Sequence, residues 1–365
     1  MSGGEDEPRA AGGEGAPKAA GREGAAKAGS GSGARPQAAA TIGVFDGVHL
    51  GHQALLARVV AWARRIEGRS VVVTFHRHPL AVLDPARCPP AVTSPAERAA
   101  LLMSYGIDTV IGLEFDAAIA RLSAREFLVQ VLSPRFDLRA LVVGPDFAMG
   151  RGRAGDARAL AELGRELGFT VEIVTPIVGE GGERVSSTQL RDAIRAGDLG
   201  RARAQLGRDV EVRGEVVTGA GRGRGLGAPT ANLALEPDRL LPADGVYAAL
   251  ARGAGMGLPG ASAEVERPAV VNIGVAPTFG GEGRRVEVHV LDLDRSLVGT
   301  LLAVRLIERL RGEERFPNPE ALRAQIAADV ERARAVLAAR MAEESHAQGA
   351  LRGPQATGVG RKSGG

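Results

Sequence analysis

The sequence predicts a doubly wound α/β domain built on a parallel sheet, followed by a small antiparallel β-barrel with a C-terminal helix. Three observations carry that expectation. Between residues 41 and 176, short β-branched runs alternate with amphipathic helix-like segments, as in parallel sheets with crossover helices. After Gly207 the character changes to short strands at regular spacing joined by Gly and Pro turns, the pattern of a small barrel. Residues 319–341 then read as one long closing helix.

The elements follow in order. Residues 1–38 contain no Val, Ile, Leu or Phe, so they cannot bury enough apolar surface to offset their conformational entropy, and disorder is expected. Residues 343–365 repeat that style. The folded part is expected as one domain over 39–206 and a second over 207–342. Strands are expected at 41–45, 70–75, 109–113, 140–143 and 171–174, with Ala38–Ala40 too poor in β-branched residues to belong to the first. Helices are expected at 52–66, 96–105, 123–132 and 156–167, with Trp62 in the core, and two short ones at 188–196 and 199–205 form a bridge. Barrel strands follow at 210–218, 245–250, 269–273, 285–293 and 300–310.

Composition excludes several classes. The formal net charge of the 365 residues is only +3, without the clustered excess that nucleic-acid coats carry. The single cysteine, Cys88, excludes an intrachain disulfide framework. No uninterrupted apolar stretch is long enough to span a bilayer, and Glu5, Asp6 and Glu7 do not open a secretory signal. A soluble protein of the cytoplasm is the expectation.

Residues 43–52, Gly-Val-Phe-Asp-Gly-Val-His-Leu-Gly-His, fall where the first strand gives way to the first helix. A helix starting there points free N–H groups and its positive dipole end at a bound group, which favours phosphate. His49 and His52 are three apart and could donate to charge developing on a transferring phosphate. Zinc is an alternative use of such a pair, with His76, His78 or Cys88 as further ligands. Three more segments follow strands or open a helix on the same expected face: Thr74–Pro79 (Thr-Phe-His-Arg-His-Pro), residues 143–150, and residues 185–191, where Ser186 or Ser187 can cap a helix and Arg191 could hold phosphate. Downstream, the Gly-rich run 219–232 suits either a phosphate cradle or a loosely RNA-binding Arg-Gly linker with Arg222 and Arg224.

Taken together, these segments resemble the bacterial bifunctional riboflavin kinase/FMN adenylyltransferases, whose N-terminal module is of the HxGH nucleotidyltransferase kind. The resemblance covers about residues 41–337. It implies that His49 and His52 contact ATP phosphates, with Gly43, Phe45, Asp46 and Gly51 in the same ATP site and Ser187, Thr188 and Arg191 as a second phosphate segment. Asp146 and Phe147 would lie at the flavin. In the barrel, Gly225 and Gly227 would cradle ATP, and Thr230 and Asn232 of the Pro-Thr-Ala-Asn run would reach Mg2+ or phosphate, for which hydroxyl and amide oxygens are apt. Glu287 would be the base accepting the riboflavin hydroxyl proton, and Asn272 and Arg311 would contact flavin beneath a helix carrying Gln325, Ile326 and Asp329.

Substrates would be riboflavin, FMN and ATP, with neither membrane nor nucleic acid as partner. Arg77, where the family commonly has Pro, and the small Ala148 depart from the pattern. A chain with only a working kinase is therefore one alternative reading, and an RNA-binding protein is another.

Overall fold

A computed structural model describes residues 34–179, 182–219, 228–254, 256, 265–278 and 281–351. In chain order the first elements are β1 (Gln37–Ile42), α1 (Leu50–Arg65), β2 (Arg69–Phe75), α2 (Leu80–Leu83), α3 (Pro95–Ser104), β3 (Thr109–Leu113), α4 (Ala117–Arg121), α5 (Ala124–Phe127) and β4 (Asp137–Val143). The two-residue strands β5 (Ala148–Met149) and β6 (Gly155–Asp156) precede α6 (Ala157–Leu167), β7 (Thr170–Ile173), α7 (Ser187–Ala196) and α8 (Leu199–Leu206). Then come β8 (Val210–Val217), β9 (Ala231–Ala234), β10 (Gly245–Gly253), β11 (Arg267–Thr278), β12 (Gly281–Val290), β13 (Leu301–Arg311) and α9 (Pro319–Leu351).

The chain folds into two compact units. One gathers the chain up to Val44 with Leu56–Cys88 and Leu102–Val174; the other holds Phe45–Leu55, Pro89–Leu101 and everything from Thr175 onward. The first unit is a five-stranded sheet of order β3-β2-β1-β4-β7, parallel throughout. The strand order reverses between β1 and β4, so the carboxyl ends of those two strands flank the ligand crevice expected of such sheets. Ala38, Ala40, Ile42, Val71, Val73, Leu141 and Val143 build its core with Phe127, Leu128 and Leu160.

Three readings of the sequence are corrected here. The first strand begins at Gln37, inside the segment expected as a tail, and Ala38–Ala40 are fully buried in it. A central strand is chosen by close packing on both faces, where alanine fits, rather than by β-propensity. The helix expected over 123–132 forms, opened by a Ser123/Glu126 capping box on α5 and widening to a π-helical turn over Leu128–Leu132 that spreads Leu128, Val131 and Leu132 into the core. Trp62 is not a core residue: it is half-buried, donates Nε1–H to Glu172 and carries the Arg65 guanidinium 3.4 Å above its ring. Helix α9 continues to Leu351, past the expected start of the tail, and Glu344 of that extra length pairs with Arg305 and Arg340.

In the second unit, six strands close an antiparallel barrel of order β10-β11-β12-β9-β8-β13. Alternation sorts its residues. Val271, Ile273, Val286, Val288, Leu233, Val304 and Leu306 fill the interior, where Leu190, Ile194, Leu199 and Leu206 of α7 and α8 join the same core. Val246, Ala248 and Leu250 point the other way and pack beneath Ala333 and Leu337 of α9. Among the described residues no helix is long and apolar enough to cross a membrane.

Candidate active sites

The chain leaves β1 into a tight loop with unusual backbone. Phe45, Gly47 and Val48 have φ of 52°, 73° and 43°. Positive φ at a β-branched valine is strained and persists only where surroundings over-determine it. Asp46 is one source of that determination. Its buried carboxylate accepts from the backbone N–H of Val92 (3.0 Å) and Thr93 (2.9 Å), from the Thr93 hydroxyl (3.0 Å) and from Arg191 Nη2 (2.7 Å). Gly47 N–H donates to Thr93 Oγ1 at 3.1 Å. Arg191 is spent in turn, with Nε on Pro90 O at 3.1 Å and Nη1 on Ser187 O at 3.4 Å. This buried pair fixes the loop to α7, which starts at the Ser186 N-cap. Asp46→Asn should strand the Arg191 charge and cost about 3 kcal/mol or more, read as a shifted urea midpoint.

The loop presents the two histidines stacked, ring centroids 3.6 Å apart and planes 15° apart, with Phe45 edge-on to His52 at 5.0 Å. Gly51 has a steric reason: a Cβ there would stand 3.2 Å from the His49 ring. His49 Nδ1 accepts the His52 backbone N–H at 3.3 Å, which leaves the proton on Nε2 to be donated to Ser187 Oγ at 3.2 Å. His52 Nδ1 is buried with no hydrogen-bond partner among the described residues.

Burial first, and Arg191 second, push the His49 pKa down to about 4, while burial and its His49 neighbour hold His52 well below its usual value. Both rings are therefore neutral donors at pH 7. The sign for stability follows. Between the unfolded value of 6.5 and about 4 the unfolded chain takes up a proton that folded His49 refuses. Stability is thus full above 6.5, falls through that window, and from His49 alone loses about 3 kcal/mol at most. Thermal melts at about pH 7 and about pH 5 check this, and His49→Asn should flatten the slope.

Of the other expected residues, Thr188 is exposed on the first turn of α7. Gly43, Asp146 and Phe147 belong to the first unit, after β1 and β4. Gly43 N–H donates to Val73 O at 3.0 Å, Asp146 is exposed with its carbonyl accepting from Arg153 at 3.2 Å, and Phe147 packs partly buried on the sheet core. Gly225 and Gly227, with Arg222 and Arg224, lie outside the described residues.

The barrel carries a second constellation on its outer face. Cross-strand pairing sets Val217, Asn232, Glu287, Asn272 and Val246 in one row over five strands. Directly paired residues share a face, so Asn232 and Asn272 flank the half-buried Glu287, and the row runs up to the patch that α9 covers. The Asn232 amide lies where a side chain at Gly219 would sit. His289 Nδ1 donates to Pro229 O at 2.9 Å and so anchors the half-buried Thr230 at the head of β9. Arg311 pairs with Val246 at the far end of the row; its Nε and Nη2 form a fork on Asp329 of α9 (3.0 and 2.8 Å), which Gln325 also holds at 2.9 Å. Arg311 is therefore anchored to α9, with Phe316 beside it at 5.6 Å.

The sequence reading missed Thr93 and the backbone of Val92, whose roles depend on a partner 47 and 46 residues away. A Thr-Ser-Pro run before an apolar helix signals only the cap that Ser94 and Glu97 do form.

A parallel sheet whose strand order reverses, a strained histidine turn at a helix start, and a barrel with a carboxylate between two amides define a two-module transferase acting on phosphate esters. The comparisons make the class specific. The FAD synthetase family model matches residues 32–189 and the riboflavin kinase model matches 206–337. A bifunctional riboflavin kinase/FMN adenylyltransferase of Pseudomonas fluorescens is 41% identical over 300 residues, 82% of this chain and 93% of that protein. That of Escherichia coli K12 is 37% identical over 289 residues, 79% and 89% of the two chains. A crystal structure described as a macrolide-efflux protein from Streptococcus pneumoniae superposes with a TM-score of 0.71 at 31% identity, covering 82% of this chain and 95% of that one. The chain belongs to the bifunctional riboflavin kinase/FMN adenylyltransferase family.

Proposed function

We propose that this chain makes FAD from riboflavin in two ATP-dependent steps: the barrel phosphorylates riboflavin to FMN, and the HxGH module adenylylates FMN to FAD with release of pyrophosphate. The observation that carries the reading is the coexistence of two separately built sites, a neutral histidine pair at a helix start and a carboxylate set between two asparagines.

In the kinase step Glu287 accepts the proton of the ribityl hydroxyl as its oxygen attacks the γ-phosphorus of ATP, and ADP leaves. Asn272 and Arg311 orient flavin from the same row, and Gly225 and Gly227 belong to the ATP side. Thr230 and Asn232 fit a magnesium ion by their chemistry: hydroxyl and amide oxygens close to a carboxylate, two protein donors being enough for an ion carried on ATP phosphates. Such an ion neutralises charge on those phosphates when bound. In the adenylyl step an FMN phosphate oxygen attacks the α-phosphorus of ATP, that oxygen bonds to phosphorus, and pyrophosphate departs without a covalent enzyme intermediate.

His49, His52, Ser187 and Thr188 supply donors to the phosphates, and the unpaired His52 Nδ1 favours such a ligand, since a buried ring nitrogen without a partner costs stability. Asp46 and Arg191 serve that site by holding the loop, while Phe45 and Gly51 shape it. Asp146 and Phe147 belong to the flavin end. The functional modules are taken as 39–206 and 207–342, and a reducing, ATP-supplied compartment, the cytoplasm, suits a chain with one cysteine. The test is a product assay on purified protein with riboflavin, ATP and Mg2+: FAD appearing after FMN is expected, and FMN that never converts would leave only the kinase.

A further inference from the structure

Several restraints hold the strained Phe45–Val48 loop, and one comes from a residue that neither reaction has used. Arg208 lies between α8 and β8. Its Nη2 donates to Gly47 O at 2.6 Å and its Nη1 to Val48 O at 3.1 Å. Gln53 reinforces the hold, with Nε2 on the same Val48 carbonyl at 3.0 Å and on Leu206 O at 2.7 Å.

Asp46 and Thr93 fix the first half of the loop, so Arg208 and Gln53 fix the half that runs directly into His49. One guanidinium reaching two successive carbonyls uses a fork that an ammonium cannot reproduce. Arg208 is itself placed firmly. Its Nη1 reaches Leu206 O at 3.4 Å, and the next residue, Asp209, is buried and receives Arg305 Nη1 and Arg340 Nη2, each at 2.9 Å. Glu344 receives the same two arginines, at 2.8 and 2.7 Å.

We propose that Arg208 is a positioning residue for adenylyl transfer, holding the Gly47 and Val48 carbonyls so that His49 and His52 keep their stacked orientation. This rests on the reading that the two histidines serve ATP phosphates. Its consequence is specific: the arginine lies within 206–337, the span matched by the riboflavin kinase model, yet it holds a loop within 32–189, the span matched by the FAD synthetase model. The adenylyl step therefore depends on a residue that its own module does not contain.

Full-length Arg208→Ala and Arg208→Lys proteins test this, with FMN and riboflavin supplied in separate assays and imidazole 15N spectra recorded for each. Arg208→Ala should lower kcat for FAD formation about tenfold or more with a much smaller change in KM for FMN. Riboflavin phosphorylation in the same preparation should be retained, and the His49 and His52 resonances should move. Arg208→Lys should recover part of the rate. Unchanged FAD formation, unmoved imidazole resonances, or a parallel fall of both activities would overturn the proposal. If the resonances move but His52→Ala still makes FAD, it is the role of the histidines that fails, not the hold of Arg208 on the loop.

Discussion

Replacing His52 with alanine is expected to stop FAD formation while FMN formation continues. The ring is neutral, stacked on His49 and has a buried nitrogen that nothing among the described residues satisfies, so its removal should take the proposed donor from phosphate without disturbing the barrel. Loss of one preorganised donor in a water-poor site costs about 10²- to 10³-fold in rate. With riboflavin and ATP supplied, chromatography should show FMN accumulating with little FAD. FAD at the normal rate would remove His52 from the site, and loss of both products would mean that the two sites are not independent.

The reciprocal experiment is Glu287→Gln, which keeps the shape of the side chain and deletes the base. Riboflavin phosphorylation should fall about 10²- to 10⁴-fold, the usual range for general base catalysis. FAD formation from supplied FMN should be untouched. The neighbours sharpen the expectation, because Asn272, proposed to orient flavin, flanks position 287 and is untouched by the change. KM for riboflavin should therefore change less than kcat. A glutamine variant that phosphorylates normally would assign the proton to another acceptor.

Much of this was legible in the sequence because alternation is local. The hydrophobic period of the barrel strands already separates Val286 and Val288 from Glu287, and the His-Leu-Gly-His spacing already puts two imidazoles beside a helix start. What escaped was set by partners far along the chain. Asp46 is expected in the ATP site, yet its ligands are the backbone of Val92 and Thr93 and the guanidinium of Arg191. Arg208 is not singled out at all, since nothing near it announces the Val48 carbonyl 160 residues upstream. Ala38–Ala40 read as coil because propensity sees side chains and not the two sheet neighbours, β2 and β4, that enclose them. The end of α9 was misplaced for the same reason: Glu344 is polar in sequence but held in space by Arg305 and Arg340.

The row on the barrel's outer face also bears on which length changes this gene can accept. In β12 the residues before and after Glu287 point into the core, so inserting or deleting a single codon upstream in that strand would turn the carboxylate inward and push valines into solvent. Fold and chemistry would be lost in one event, with no partially active intermediate for selection to keep. Changes of two codons restore the phase, so length variation within this strand is confined to even steps, and odd ones must be absorbed in the turns on either side.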